Sequence, residues 1–111
     1  MTGTLVLAGT PIGDVKDAPP RLVEELAGAD VVAAEDTRRL KRLTQALGVQ
    51  PAGRVVSYFE GNESARTPEL VEALLAGSRV LLVTDAGMPS VSDPGYRLVA
   101  AAVEKDIKVT A

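Results

Sequence analysis

Five short apolar runs recur about every 25 residues: Leu5 to Ala8, Val31 to Ala34, Val55 to Tyr58, Val80 to Val83, and Ile107 to Val109. The first four are nearly continuous rather than alternating. That pattern suits parallel strands covered on both faces, where neither side meets water. The fifth alternates through Lys108 and predicts a more exposed strand. Helix-period segments lie between the runs. Leu22, Val23 and Leu26 share one face, as do Leu40, Leu43 and Leu47, then Leu70, Val71, Leu74 and Leu75, then Leu98, Val99, Ala102 and Val103.

Local signals mark the helix ends. Thr67-Pro68 and Asp93-Pro94 each set a capping oxygen before a proline at an expected first helical position. Pro19 and Pro20 fit a first turn, where a missing N–H is no loss, and Thr37 is the expected cap of the second helix. Gly28, Gly48 and Gly77 follow three of the helices as expected left-handed caps. The order is βαβαβαβαβ. With right-handed crossovers it predicts an α/β fold: a three-layer, open, mostly parallel five-stranded sheet with helices on both faces.

The connections are unequal. Those leaving the helices are short: Gly28 to Asp30, Gly48 to Gly53, Gly77 to Arg79, and Lys105-Asp106. Those leaving the strands include longer ones: Gly9 to Ala18, Glu35 to Thr37, Phe59 to Arg66, and Asp85 to Asp93. All four emerge at the carboxyl ends of the strands, where open parallel sheets bind ligands.

Composition narrows the chemistry. The 111 residues carry no cysteine and no histidine, which excludes thiol nucleophiles, thiolate metal sites and imidazole bases from this chain. The balance of 12 basic and 15 acidic residues, net −3, permits a local basic patch but not a generally sticky surface. No apolar run reaches the roughly 18 residues a membrane span needs, and no leader-like segment precedes the first run. The expected location is cytoplasmic, with no membrane partner.

Four segments at the strand-to-helix connections carry candidate chemistry. Gly9-Thr10-Pro11-Ile12-Gly13-Asp14 is glycine-rich but is not GxGxxG, so a dinucleotide site is poorly supported. The eleven residues Asp85 to Gly95 include two prolines and two glycines, a stiff small-residue backbone that either wraps a ligand or forms a rigid surface loop. Glu35 to Arg42 holds Arg38, Arg39, Lys41 and Arg42 within five positions. Cations at a helix start oppose its dipole, so these residues either hold phosphates or form a solvated face offset by Glu35 and Asp36. Ser57 to Glu63 holds Tyr58 and Phe59, two of only three aromatics, which either stack on RNA bases or pack beneath the loop.

Taken together, the ordered motifs Thr10-Pro11-Ile12-Gly13-Asp14, Ala34 to Arg38, Ser57 to Glu63, Arg66 to Leu70, and Asp85 to Pro89 with Ser92 to Gly95 resemble a known family. It is the bacterial 16S rRNA (cytidine-2′-O)-methyltransferases, within the tetrapyrrole methylase superfamily of class III S-adenosylmethionine methyltransferases. The family commonly has Ser-Tyr-His-Glu-His-Asn-Glu where this chain has Phe59 and Gly61, and Thr-Pro-Gly-Ile where it has Met88 to Val91.

The resemblance implies S-adenosyl-L-methionine as cofactor and the 16S rRNA of the small ribosomal subunit as substrate. By motif it places Pro11, Ile12, Asp85, Ala86, Gly87, Met88 and Val91 at the cofactor, with Met88 standing where the superfamily's Gly-Asp-Pro loop has aspartate and Asp85 as the alternative carboxylate. Arg38, Arg39, Lys41, Arg42 and Tyr58 are the expected RNA-binding residues. The catalytic base is unassigned, with Glu35, Asp36, Glu60 and Glu63 as candidates. The resemblance also implies that residues 1–111 are an N-terminal domain, inactive without a C-terminal domain that completes the cleft, and it allows a homodimer. The competing readings are a precorrin or uroporphyrinogen methyltransferase, and a non-catalytic domain. A phosphorylated receiver is disfavoured, because Ala8-Gly9 and Tyr58-Phe59 stand where its aspartates would be.

Overall fold

The computed structural model describes residues 2–9, 20–84 and 94–111. Five strands alternate with four helices: β1 Thr4–Gly9, α1 Pro20–Gly28, β2 Val31–Ala34, α2 Thr37–Leu47, β3 Arg54–Ser57, α3 Glu63–Leu75, β4 Val80–Thr84, α4 Pro94–Glu104 and β5 Lys108–Thr110. All pairings are parallel, in the order β3-β2-β4-β1-β5. The predicted fold class is the one observed.

The continuous apolar runs resolve into two cores because successive residues of a strand point to opposite faces. Leu5 and Leu7, Val31 and Ala33, and Val80 and Leu82 face α3 and α4, where they meet Leu70, Leu74, Leu98 and Ala102. Val6, Val32, Ala34, Leu81 and Val83 face α1 and α2, where they meet Leu22, Leu26, Leu40 and Leu43. β4 is bonded to strands on both sides and is buried at all five residues. Both edge strands are less covered. Val55 of β3 is 42% exposed, on the floor of an open groove that it shares with Leu40 and Thr44 of α2. β5 buries Ile107 just before it and exposes Lys108.

Three helices end alike. Gly48, Gly77 and Asp106 have φ of 70°, 102° and 57°, and the next N–H in each case reaches back five residues: Val49 to Thr44, Ser78 to Ala73, and Ile107 to Ala102. These are left-handed terminations that satisfy orphan carbonyls. Gly28 is not one of them. It lies inside α1 without a positive φ, and Ala29 simply continues the helical bond to Glu25.

Two expected starts also move. Asp36 rather than Thr37 caps α2, its carboxylate accepting from the Arg38 and Arg39 N–H groups at 3.0 and 3.2 Å. Asp36 has the extended backbone a cap needs, whereas Thr37 is already helical. α3 begins at Glu63, so Pro68 lies within it. The bond lost at Pro68 would have gone to the carbonyl of Ser64, an exposed residue in the first turn of the helix. Thr67 is therefore buried in the helix instead of capping it.

The amino edge of the sheet is tightly stitched. The Asp30 carboxylate accepts from the Arg79 N–H at 2.8 Å, and its carbonyl accepts from Arg54. A Cβ on Gly53 would stand 2.0 Å from that same carbonyl oxygen, so only glycine fits. Arg79 also grips Glu25 through two bonds, at 2.8 and 2.6 Å. The guanidinium holds the Glu25 carboxyl below its ordinary value of 4.5.

Two outcomes are expected. Leu82→Ala, at a fully buried site of the central strand, should lower stability by about 2–5 kcal/mol in denaturant melts. Glu25→Gln should cost about 1 kcal/mol or less at neutral pH, because Arg79 is 42% exposed and water weakens the pair. A carboxyl with a depressed folded pKa stabilises above its unfolded value and loses that contribution as pH falls through the folded one. The gap between wild type and Glu25→Gln in thermal melts should therefore close below pH 4.5.

Candidate functional site at the carboxyl edge of the sheet

Helix faces alternate along the sheet. Across the three central pairs, β3-β2, β2-β4 and β4-β1, the chains leaving neighbouring strands run to opposite faces. Such divergence opens crevices at the carboxyl edge. β1 and β4 end side by side, with Gly9 opposite Thr84. The two glycine- and proline-containing segments thus start from adjacent points. The expected cofactor residues Pro11, Ile12, Asp85, Ala86, Gly87, Met88 and Val91 lie outside the described residues.

Beside the end of β1 is a cavity of about 150 Å³, lined by Val6 to Gly9, Arg21, Leu22, Glu25 and Ala111. β5 pairs with β1 from Thr4 to Val6. The Arg21 guanidinium closes one wall by donating to the Ala111 carbonyl at 2.6 Å. This volume is below the roughly 300 Å³ at which small-molecule pockets begin.

The expected RNA-binding cations are all exposed on the first turns of α2. Arg38, Lys41 and Arg42 line an open depression together with Asp36 and Gln45. Arg38 and Lys41 also border a second groove, between α2 and β3, floored by Leu40 and Val55. Asp36 remains an anion among these cations. The N–H groups of Arg39 and then Arg38 hold its carboxyl below the usual carboxylate range. Its charge, fixed at the cap, is why two arginines are tolerated at a helix start.

Tyr58 does not belong with these cations. Its ring is fully buried, and its hydroxyl shares a 2.6 Å hydrogen bond with Thr67. Burial pushes the phenol pKa up. The ring points to the α3–α4 face because Tyr58 continues the alternation set by Val56, so it has no surface to offer a base.

Of the candidate bases, Glu63 is paired with Arg97 at 3.7 Å, tying the starts of α3 and α4 together. Glu60 is exposed in the turn after β3, and Glu35 is half-buried with a partner of its own. Asp36 is committed to the α2 cap. Among the described residues no group of three or more metal-ligating side chains converges.

Sequence comparison agrees with this architecture. Residues 4–111 match the family described as Tetrapyrrole (Corrin/Porphyrin) Methylases. The chain is 52% identical over 109 residues to a Mycobacterium tuberculosis H37Rv protein named ribosomal RNA small subunit methyltransferase I, covering 98% of this chain and 38% of that protein. Proteins of the same name from Micromonospora olivasterospora and Halalkalibacterium halodurans are 51% and 44% identical, covering 97% and 96% of this chain. The chain spans 34% and 36% of those two relatives' length. With a matched region running through every strand and helix of the sheet, the chain belongs to the tetrapyrrole methylase family.

Proposed function

We propose that the protein carrying this chain methylates the RNA of the small ribosomal subunit, at a cytidine ribose 2′-oxygen, with S-adenosyl-L-methionine as donor. The observation that carries this reading is the strip of exposed cations on α2, at the same sheet edge from which the β1 and β4 segments emerge. Relatives at 42–52% identity bearing the ribosomal RNA methyltransferase name support it. Residues 1–111 serve as the N-terminal domain, and a further domain supplies the rest of the cleft. This chain alone is inactive.

Pro11, Ile12, Asp85 to Met88 and Val91 hold the cofactor in this reading. The adjacent roots of their segments, at a point where α1 and α4 part to opposite faces, fit that assignment. Bound there, the cofactor supplies an already activated methyl group. The chain's own residues contribute position. Arg38, Arg39, Lys41 and Arg42 neutralise phosphates and fix the register of the RNA, leaving the ribose hydroxyl to be aligned at the cleft. That hydroxyl must lose its proton; in this chain, which has no histidine, a carboxylate, a lysine or water accepts it, or else a group of the further domain does. The work takes place in the cytoplasm.

The test uses the full-length protein with labelled methyl donor, offered small ribosomal subunits or uroporphyrinogen. Transfer to subunit RNA, mapped to a 2′-O-methylcytidine, is the expected result. Transfer to the tetrapyrrole alone would replace this reading with the other activity in the family's description. The triple variant Arg38→Gln, Lys41→Gln, Arg42→Gln should raise the KM for RNA about ten-fold. It should also flatten the salt dependence of binding by about two in log–log slope. Unchanged values would remove α2 from the RNA site. Separately, Glu60→Gln or Glu63→Gln should slow transfer if either accepts the proton, and equal rates would clear both.

A further inference from the structure

With Tyr58 buried, the other two aromatics of the chain stand at the surface: Phe59 is 45% exposed and Tyr96 is 44% exposed. Phe59 is held firmly. Its N–H donates to Asn62 Oδ1 at 2.8 Å, and its carbonyl accepts from the Asn62 N–H at 3.0 Å. The Asn62 amide in turn donates to the Ser57 carbonyl and hydroxyl at 3.2 and 2.9 Å. The turn carrying Phe59 is therefore tied back onto β3.

The ring rests on Gly61. A Cβ at that glycine would stand 2.6 Å from Phe59 Cε2 and 3.2 Å from Cδ2. Gly61 has no positive φ, so its backbone conformation does not demand glycine. A Cβ there would instead push the exposed ring edge aside. The two positions where the Ser57 to Glu63 motif departs from the pattern it resembles thus form one structural unit.

The unit follows the strand that pairs with the one leading into α2. Tyr58 donates its N–H to the Ala34 carbonyl at 2.8 Å, and Ala34 pairs with Ser57. Phe59 lies two residues beyond Ser57, and the α2 cap Asp36 lies two residues beyond Ala34. The half-exposed ring and the first turn of the basic helix leave neighbouring strands at the same edge.

We propose that Phe59, braced on Gly61, is the stacking platform for an unpaired base of the RNA whose phosphates the α2 cations hold. The inference rests on the ribosomal RNA reading above. Aromatic rings accept any base through its π-face, and a ring carried on a hydrogen-bonded turn has less backbone freedom to lose on binding. Cations alone would hold the strand without placing its bases. The neighbouring ring supplies that placement.

The experiment uses the full-length protein and a labelled single-stranded RNA from the small subunit, read by fluorescence anisotropy and by steady-state methylation. Phe59→Ala should weaken RNA binding about ten-fold and raise the KM for RNA, with the KM for the donor unchanged. Phe59→Trp should restore both. Gly61→Ala should weaken RNA binding similarly at an unchanged Tm, since the added methyl displaces only a ring edge. In the Phe59→Ala background, Gly61→Ala should add nothing. Wild-type affinity in Phe59→Ala, or an additive loss from Gly61→Ala in that background, overturns the platform while leaving ribosomal RNA methylation standing. A wild-type protein that neither binds RNA nor methylates the small subunit overturns both.

Discussion

Water is excluded from every side of β4, and the rest of the structure follows from that. A strand bonded to neighbours on both edges and buried at all five residues requires helices above and below it. The parallel sense of its neighbours requires each connection to cross over the sheet. α1 and α2 take one face, and α3 and α4 take the other. Because the strand order interleaves, chains leaving neighbouring central strands diverge, and the crevices of the carboxyl edge are a direct consequence of covering one strand completely.

The two edges of the sheet differ in kind. At the amino edge, Asp30, Gly53, Arg54 and Arg79 draw the starts of β2, β3 and β4 together, at a spacing that leaves no room for a Cβ on Gly53. At the carboxyl edge the described residues offer exposed groups on short, well-bonded supports: a basic first turn on α2 and a phenyl ring on a closed turn after β3. Rigid support with exposed chemistry is the arrangement a binding edge needs, because the geometry is set before the ligand arrives.

Electrostatics on α2 follow the same logic. Clustered arginines at a helix start oppose the dipole, and the capping carboxylate of Asp36 compensates them locally. The same carboxylate is held ionised by the N–H groups it caps, so the compensation persists through the neutral range. What remains facing outward is positive in a chain whose net charge is −3.

Periodicity alone was enough to read the strands, the helices, the fold class and the richer carboxyl edge. Burial on two faces leaves a continuous apolar run, and burial on one leaves a helical stripe, so both are written locally. Side-chain direction and helix starts were less legible. Tyr58 and Phe59 are adjacent aromatics, yet one completes the α3–α4 core and the other stands half in water, a difference set by strand alternation carried past the end of β3. Thr67-Pro68 has the form of a helix start, but the Thr67 hydroxyl is claimed by Tyr58 nine residues earlier and the helix begins five residues before Pro68. The need for glycine at 53 is invisible in the chain, because the atom that excludes a Cβ there is the Asp30 carbonyl from a distant connection. Local sequence determined which segments could be buried. Packing between segments decided which surface each side chain finally met, since that depends on neighbours the chain brings together only when folded.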